Sequence, residues 1–154
     1  MAREFRLLCS LCEMRLPVPR PVAAFIQRSG PALYTGSLIT QYLEGTQSLS
    51  SLIRSGHLRD APWAALGSTI RRFHDHGVIH PDLNASNILL AEGEVHLIDF
   101  DKGRLATPST NDSWKLANLR RLCRSLEKIS TRQASDLDDH WATLLNAYAE
   151  PSSS

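Results

Sequence analysis

Between Gly77 and Gly103 the sequence VIHPDLNASNILLAEGEVHLIDFDK sets two short apolar runs among polar residues at fixed places, and this stretch restricts the fold most tightly. ILL and VHLIDF are strand-forming runs on either side of AEGE and predict a β-hairpin. Asp99 then emerges at the end of the second strand, while His80, Asp82 and Asn87 lie in the loop that feeds the first. The segment is launched from a helix in which Trp63, Leu66, Ile70 and Phe73 form one apolar stripe, with Asp60 as its expected N-cap and Gly77 placed to end it.

The flanking sequence reads as mixed α and β. Phe5, Leu8 and Cys12, flanked by Leu7 and Leu11, recur at helical spacing, and that helix must stop before Pro17, Pro19 and Pro21. VAAFIQ and LYTGSLITQYL predict two strands around a Gly30-Pro31 turn, and Leu49, Leu52 and Ile53 a short helix. After the hairpin, Leu116, Leu119, Cys123 and Leu126 predict one amphipathic helix. A last one, capped by Ser135 and Asp138, carries Trp141, Leu144, Leu145 and Tyr148.

A chain of 154 residues, 42% hydrophobic and 21% charged, has enough apolar surface for one core. Its net charge of +1 gives no electrostatic case for nucleic acid as a partner. Three cysteines, Cys9, Cys12 and Cys123, do not make a secreted disulfide framework. No long apolar region follows Met1 and no run approaches the length of a spanning helix, so neither a secretory signal nor a membrane span is expected. Charge is uneven, however: from Lys102 to Arg132 eight basic residues face two acidic ones. That excess of +6 reads as a solvated helix face or as a seat for an anionic partner.

His80-Pro81-Asp82, Asn87 five residues after that aspartate, and Asp99-Phe100-Asp101 after a strand pair have the order and spacing of the H-x-D-x-x-x-x-N loop and D-F-x turn of the protein-kinase-like fold. Phosphoryl transfer needs one carboxylate to orient the attacking hydroxyl and oxygen ligands to hold Mg²⁺ across nucleotide phosphates. Singly, Asp and Asn are ordinary turn residues. Their coincidence, each in the strand or loop context this chemistry requires, carries the reading. On it Asp82 is the catalytic base, Asn87 and Asp99 are metal ligands, and His80 supports the loop from its buried side. Pro81 fixes its own backbone and biases His80 toward an extended conformation.

IRRFHDHGVIHPDLNASNILL, HLIDFDKG and WKLANLRRLCRSLEK, with EFRLL and LPVPRPVAA near the start, resemble the 3-deoxy-D-manno-octulosonic acid (Kdo) kinase family of Gram-negative bacteria. The likeness runs from about Arg3 to Tyr148. It implies an α+β, protein-kinase-like fold that uses ATP and Mg²⁺ to phosphorylate the 4-hydroxyl of Kdo on Kdo-lipid A, peripherally at the anionic cytoplasmic face of the inner membrane. It places the catalytic aspartate on Asp82 and the metal ligands on Asn87 and Asp99. Asp101 stands where D-F-G has glycine, a form the family shares. Glu4 matches the helix glutamate that pairs with a phosphate-gripping lysine, and Gln41 and Leu43 fall in the nucleotide-facing hinge. Lys102, Arg104, Arg120, Arg121 and Arg124 are the candidates for binding the acceptor or the membrane surface.

The same resemblance implies a glycine-rich strand pair and a strand lysine ahead of the helix carrying Glu4, whereas Lys102, Lys115 and Lys128 all follow the catalytic loop. The expectation is therefore a truncated small lobe over residues 1–43, a mostly helical large lobe with the catalytic loop over 44–150, and a loose tail at 151–154. It leaves open a noncatalytic kinase-like binding module, and an aminoglycoside- or choline-type small-molecule kinase that shares the catalytic triplet. Two weaker signals take bland readings: Cys9 and Cys12 sit mid-helix without a second ligand pair for zinc, and His74 and His76 end a helix.

Overall fold

The computed structural model describes residues 2–28, 30, 34–91, 93–108, 110–130 and 134–150. Helix α1, Ala2–Glu13, opens it, and the hairpin of β1, Pro21–Arg28, and β2, Tyr34–Thr40, follows. A two-residue strand β3, Gln47–Ser48, leads into α2, Leu49–Arg54, and then α3, Trp63–Asp75. Strand β4, Val78–Ile79, precedes the hairpin of β5, Ile88–Ala91, and β6, Glu94–Leu97. Strand β7, Arg104–Leu105, and helices α4, Ser113–Ile129, and α5, Ala134–Ala149, complete the α+β architecture. The expected tail and the Pro31 half of the first turn lie outside the described residues.

All the sheets are small and antiparallel: β1 with β2, β3 with β5 and β6, and β4 with β7. One apolar core joins them. Leu8 and Leu11 of α1 pack in the same cluster as Leu66, Ile70 and Phe73 of α3, Leu97 of β6, Phe100, and Leu122 and Leu126 of α4. Fully burying each such side chain is worth about 1.5–3 kcal/mol. Helix α1 ends in a left-handed turn. Arg15 has φ of 55°, its N–H donates to the Cys12 carbonyl and the Leu16 N–H to that of Leu11, while Leu11 and Leu16 are both buried. That turn swings the chain so that the Pro17 carbonyl accepts from Leu97 N–H at 3.0 Å, fastening the first helix to β6.

Several local expectations are corrected. Asp60 does not cap α3; it closes a 3₁₀ turn at Leu58–Asp60, and α3 begins at Trp63 after Pro62. The Trp63 indole N–H reaches back to the Leu58 carbonyl at 3.0 Å, so the turn and the helix are joined through a side chain instead of a cap. Helix α5 starts at Ala134, which puts Ser135 and Asp138 inside it. In α1 the buried stripe is Glu4, Leu7, Leu8 and Leu11, with Phe5 and Cys12 only half-buried, because the face bearing Glu4 is turned inward. In α4 the stripe is rotated to Trp114, Asn118, Leu119, Leu122 and Leu126, and Leu116 is 49% exposed. Two partners set that rotation: Trp114 packs edge-on against His74, and Asn118 bonds the backbone of His80.

The closest helix crossing is that of α3 and α5. A Cβ on Gly67 would stand 2.1 Å from the Leu144 carbonyl oxygen and 3.0 Å from the Tyr148 backbone nitrogen. Because both are backbone atoms, Gly67→Ala forces the helices apart, and a loss of at least about 2 kcal/mol is expected in urea unfolding. His74, on the same contact, bonds the Tyr148 hydroxyl through Nδ1 at 2.7 Å, and burial pushes its pKa down to about 4. In the unfolded chain a histidine titrates near about 6.5. Below that pH the unfolded state takes up a proton that the folded state refuses, so this contribution is complete above about 6.5 and is lost toward pH 4. The free energy of unfolding is expected to fall across that window by roughly 3 kcal/mol, and His74→Phe to flatten the slope.

Candidate active site

The turns of the loop from His80 to Asn87 are closed by its own polar groups. Leu83 N–H closes a β-turn on the His80 carbonyl at 3.1 Å, which puts Pro81 at the second turn position, where its fixed φ is already correct. The Asn84 side-chain oxygen then caps the following 3₁₀ turn by accepting from Ser86 and Asn87 N–H at 2.8 and 3.2 Å. The Asp82 carbonyl takes two amide donors, Nδ2 of Asn84 and Nδ2 of Asn87, each at 3.0 Å. With its Nδ2 committed, Asn87 presents its oxygen to whatever lies opposite.

The hairpin brings Asp99 to that place. Ile88 pairs with Leu97, and one step further out the Ile98 N–H donates to the Asn87 carbonyl at 3.0 Å, so Asn87 and Asp99 flank the open end of the strand pair. Asp99 has φ of 64°, a left-handed conformation uncommon for any residue but glycine and best tolerated by Asp and Asn. Behind it Phe100 is buried, stacked on Phe73 with ring centres 6.0 Å apart. Gly103 leaves room for the turn: a Cβ there would meet Leu7 at 2.8 Å and Phe100 at 3.0 Å.

His80 joins the two segments. Its Nε2–H donates to the Ile98 carbonyl at 3.0 Å, its ring lies 4.6 Å from that of Phe100, and its backbone N–H donates to Asn118 Oδ1 at 3.3 Å. Burial pushes its pKa down, although the Ile98 carbonyl and the Asp99 and Asp82 charges oppose that shift. Its Nδ1 is buried without a partner among the described residues, which also favours the neutral ring.

Two depressions meet here. Glu4, Leu38, Gln41, Leu43, Ile98 and Asp99 line a cleft of about 360 Å³. Glu4 is buried within it, and its carboxyl is raised by that burial, with Asp101 and Asp99 acting in the same direction. A smaller hollow of about 110 Å³ is lined by His80, Asp82, Asp99, Asp101, Lys102 and Gly103. Asp82 is also ion-paired with Arg121 of α4, both side chains being about half exposed at 44% and 47%. At such exposure an ion pair is worth about 0–1 kcal/mol. Arg121 and Arg124 line a separate hollow with Asn84, Ser125 and Lys128, whereas Arg104 and Arg120 are exposed and line none of the three.

The sequence thus pointed to residues that the fold assembles on two sides of Asp99, but it missed Asn118. A polar residue four positions after Trp114, on the face that carries Leu119 and Leu122, was the available signal. Asn118 also hydrogen-bonds the His74 ring and so braces two buried histidines at once. Asn118→Leu leaves the buried His80 N–H unsatisfied, and a destabilisation of about 1–3 kcal/mol is expected by denaturant titration.

Asp99 thus lines both the cleft and the smaller hollow, and Asp82 lines the hollow beside it. Residues 1–148 match the lipopolysaccharide kinase (Kdo/WaaP) family, and the chain belongs to it. It is 46% identical over 147 residues to a 3-deoxy-D-manno-octulosonic acid kinase of Xanthomonas oryzae pv. oryzae, covering 94% of this chain and 57% of that protein. Kinases of the same description from Stenotrophomonas maltophilia and Haemophilus influenzae are 43% and 39% identical, again over 94% of this chain and over 57% and 61% of theirs. The chain therefore spans about three-fifths of the length of these curated relatives. Among solved structures, WaaP in complex with acyl carrier protein shares the fold, with a TM-score of 0.68 at 20% identity over 97% of this chain and 67% of that one. No described helix is long and apolar enough to cross a membrane.

Proposed function

We propose that the protein takes part in the ATP-dependent phosphorylation of the 4-hydroxyl of Kdo on Kdo-lipid A, at the cytoplasmic face of the inner membrane. The observation that supports the reading is the hydrogen-bonded junction of Asn87 with Ile98, next to Asp99, which lines both the cleft of about 360 Å³ and the hollow that Asp82 also lines. The relatives named as Kdo kinases supply the acceptor.

On this reading residues up to about Leu43 form the nucleotide-facing lobe and residues 44–150 the lobe that carries the catalytic loop. Glu4, Gln41 and Leu43 line the nucleotide side. The donor set suits Mg²⁺: both Asn87 and Asp99 offer oxygen, the ligand type this hard cation takes, and the Asn87 amide group is already turned away. Once bound between them, the ion would offset charge on the nucleotide phosphates. Asp82 orients the sugar hydroxyl and takes its proton, and His80 positions this loop against the Asp99 turn without touching the reactants. Lys102 faces the same hollow as Asp82 and is placed to meet acceptor or phosphate charge. Arg104 and Arg120 are placed on the outer surface to meet acidic lipid headgroups.

Transfer of labelled phosphate from ATP to Kdo-lipid A is the direct test, in this chain and in the Xanthomonas oryzae relative carrying the equivalent changes. Asp82→Ala and Asp99→Ala are each expected to lower turnover by at least about 100-fold with folding intact. Turnover retained with either substitution overturns the assigned roles.

A further inference from the structure

Positions 121, 124, 125 and 128 of α4 fall on one helical face, and they line a hollow of about 200 Å³ closed on its other side by Asn84 of the catalytic loop. Three cations meet there, and Arg124 and Lys128 stand at the i,i+4 spacing at which like charges repel. Among the described residues neither has a carboxylate within ion-pairing distance. Glu127, the nearest acid on the helix, is engaged by the Cys123 thiol. Ser125 accepts from Ala85 N–H at 3.1 Å, which leaves its own hydroxyl hydrogen to donate. The hollow thus holds positive charge and a spare donor, and one of its cations, Arg121, is ion-paired with the Asp82 carboxylate.

We propose that this hollow binds a phosphate group carried by the acceptor, and that Arg121 is transferred from Asp82 to that phosphate as the acceptor docks. A half-exposed carboxylate is a weak partner for a guanidinium, and a phosphate held jointly by two arginines and a lysine is a stronger one. Without acceptor, Arg121 occupies the carboxylate that orients the hydroxyl. A seated phosphate draws the guanidinium away and leaves Asp82 free for the incoming hydroxyl. The exchange makes the loop respond to the right acceptor, since a neutral sugar has nothing to offer Arg121. It rests on the phosphotransfer reading for the role of Asp82, whereas the anion site itself does not.

The first test is binding of inorganic phosphate to the ¹⁵N-labelled chain at neutral pH, with ionic strength held constant by chloride and the arginine Nε–H signals followed. Saturable shifts of Arg121 and Arg124 are expected. Arg124→Gln with Lys128→Gln should weaken binding at least about tenfold, and Arg54→Gln should leave it unchanged. Shifts spread alike over all arginines, or a double variant that titrates like the parent, overturn the site. Vesicles of phosphatidylglycerol and phosphatidylethanolamine form the second arm. Failure to displace phosphate supports an acceptor-borne group, whereas displacement assigns the hollow to lipid headgroups and overturns the acceptor claim. In the Xanthomonas oryzae relative, the equivalent double change should raise KM for Kdo-lipid A bearing its phosphates but not for the dephosphorylated acceptor. Equal KM effects on both acceptors overturn the exchange. Pocket-dependent phosphate binding in a protein without Kdo kinase activity would remove the reaction reading and keep the site.

Discussion

One hydrogen bond, from Nε2–H of the buried His80 ring to the Ile98 carbonyl, ties the start of the His80–Asn87 loop to the Asp99 turn. Asp82 and Asp99 are carried by a turn-rich loop and the end of a hairpin; the β5–β6 ladder fixes the Asn87 end of that loop, but its His80 end lies outside the ladder. The imidazole spans that gap while packing on Phe100. Because burial holds the ring neutral, the pin is a dipolar contact and not an ion pair. It does not weaken with salt, and protonation would leave a buried charge facing Phe100.

Helix α4 serves both the pin and the surface. Its inward residues reach the buried histidines, Trp114 against His74 and Asn118 to the His80 backbone. One turn further on, Arg121 reaches the Asp82 carboxylate and Ser125 the Ala85 N–H. Helix α4 therefore holds the His80–Asn87 loop at three points, His80, Asp82 and Ala85. Any rotation of α4 about its axis is felt by both ends of that loop at once, which is why the position of the helical stripe matters more than its hydrophobicity.

The fold class and the helix-loop-hairpin order were legible in the sequence because they depend on local signals: the stripe from Trp63 to Phe73, Gly77 after it, and two β-rich runs about a turn. The spacing of Asp82, Asn87 and Asp99 was legible for the same reason, since the hairpin joins its own ends. What escaped was set by side-chain partners. Asp60 reads as a cap until Trp63 bonds back to Leu58. Leu116 and Cys123 read as core until Asn118 claims the inward face of α4 to reach His80.

The left-handed backbone at Asp99 has a consequence for how this chain tolerates drift. A non-glycine residue in that conformation costs of the order of 1 kcal/mol that glycine does not. Aspartate and glycine codons differ by one base, so drift can reach the less strained residue in one mutational step, at a position to which the proposed phosphate chemistry gives a metal ligand. Screens that reward solubility or heat resistance alone will favour that change whatever it does to the chemistry.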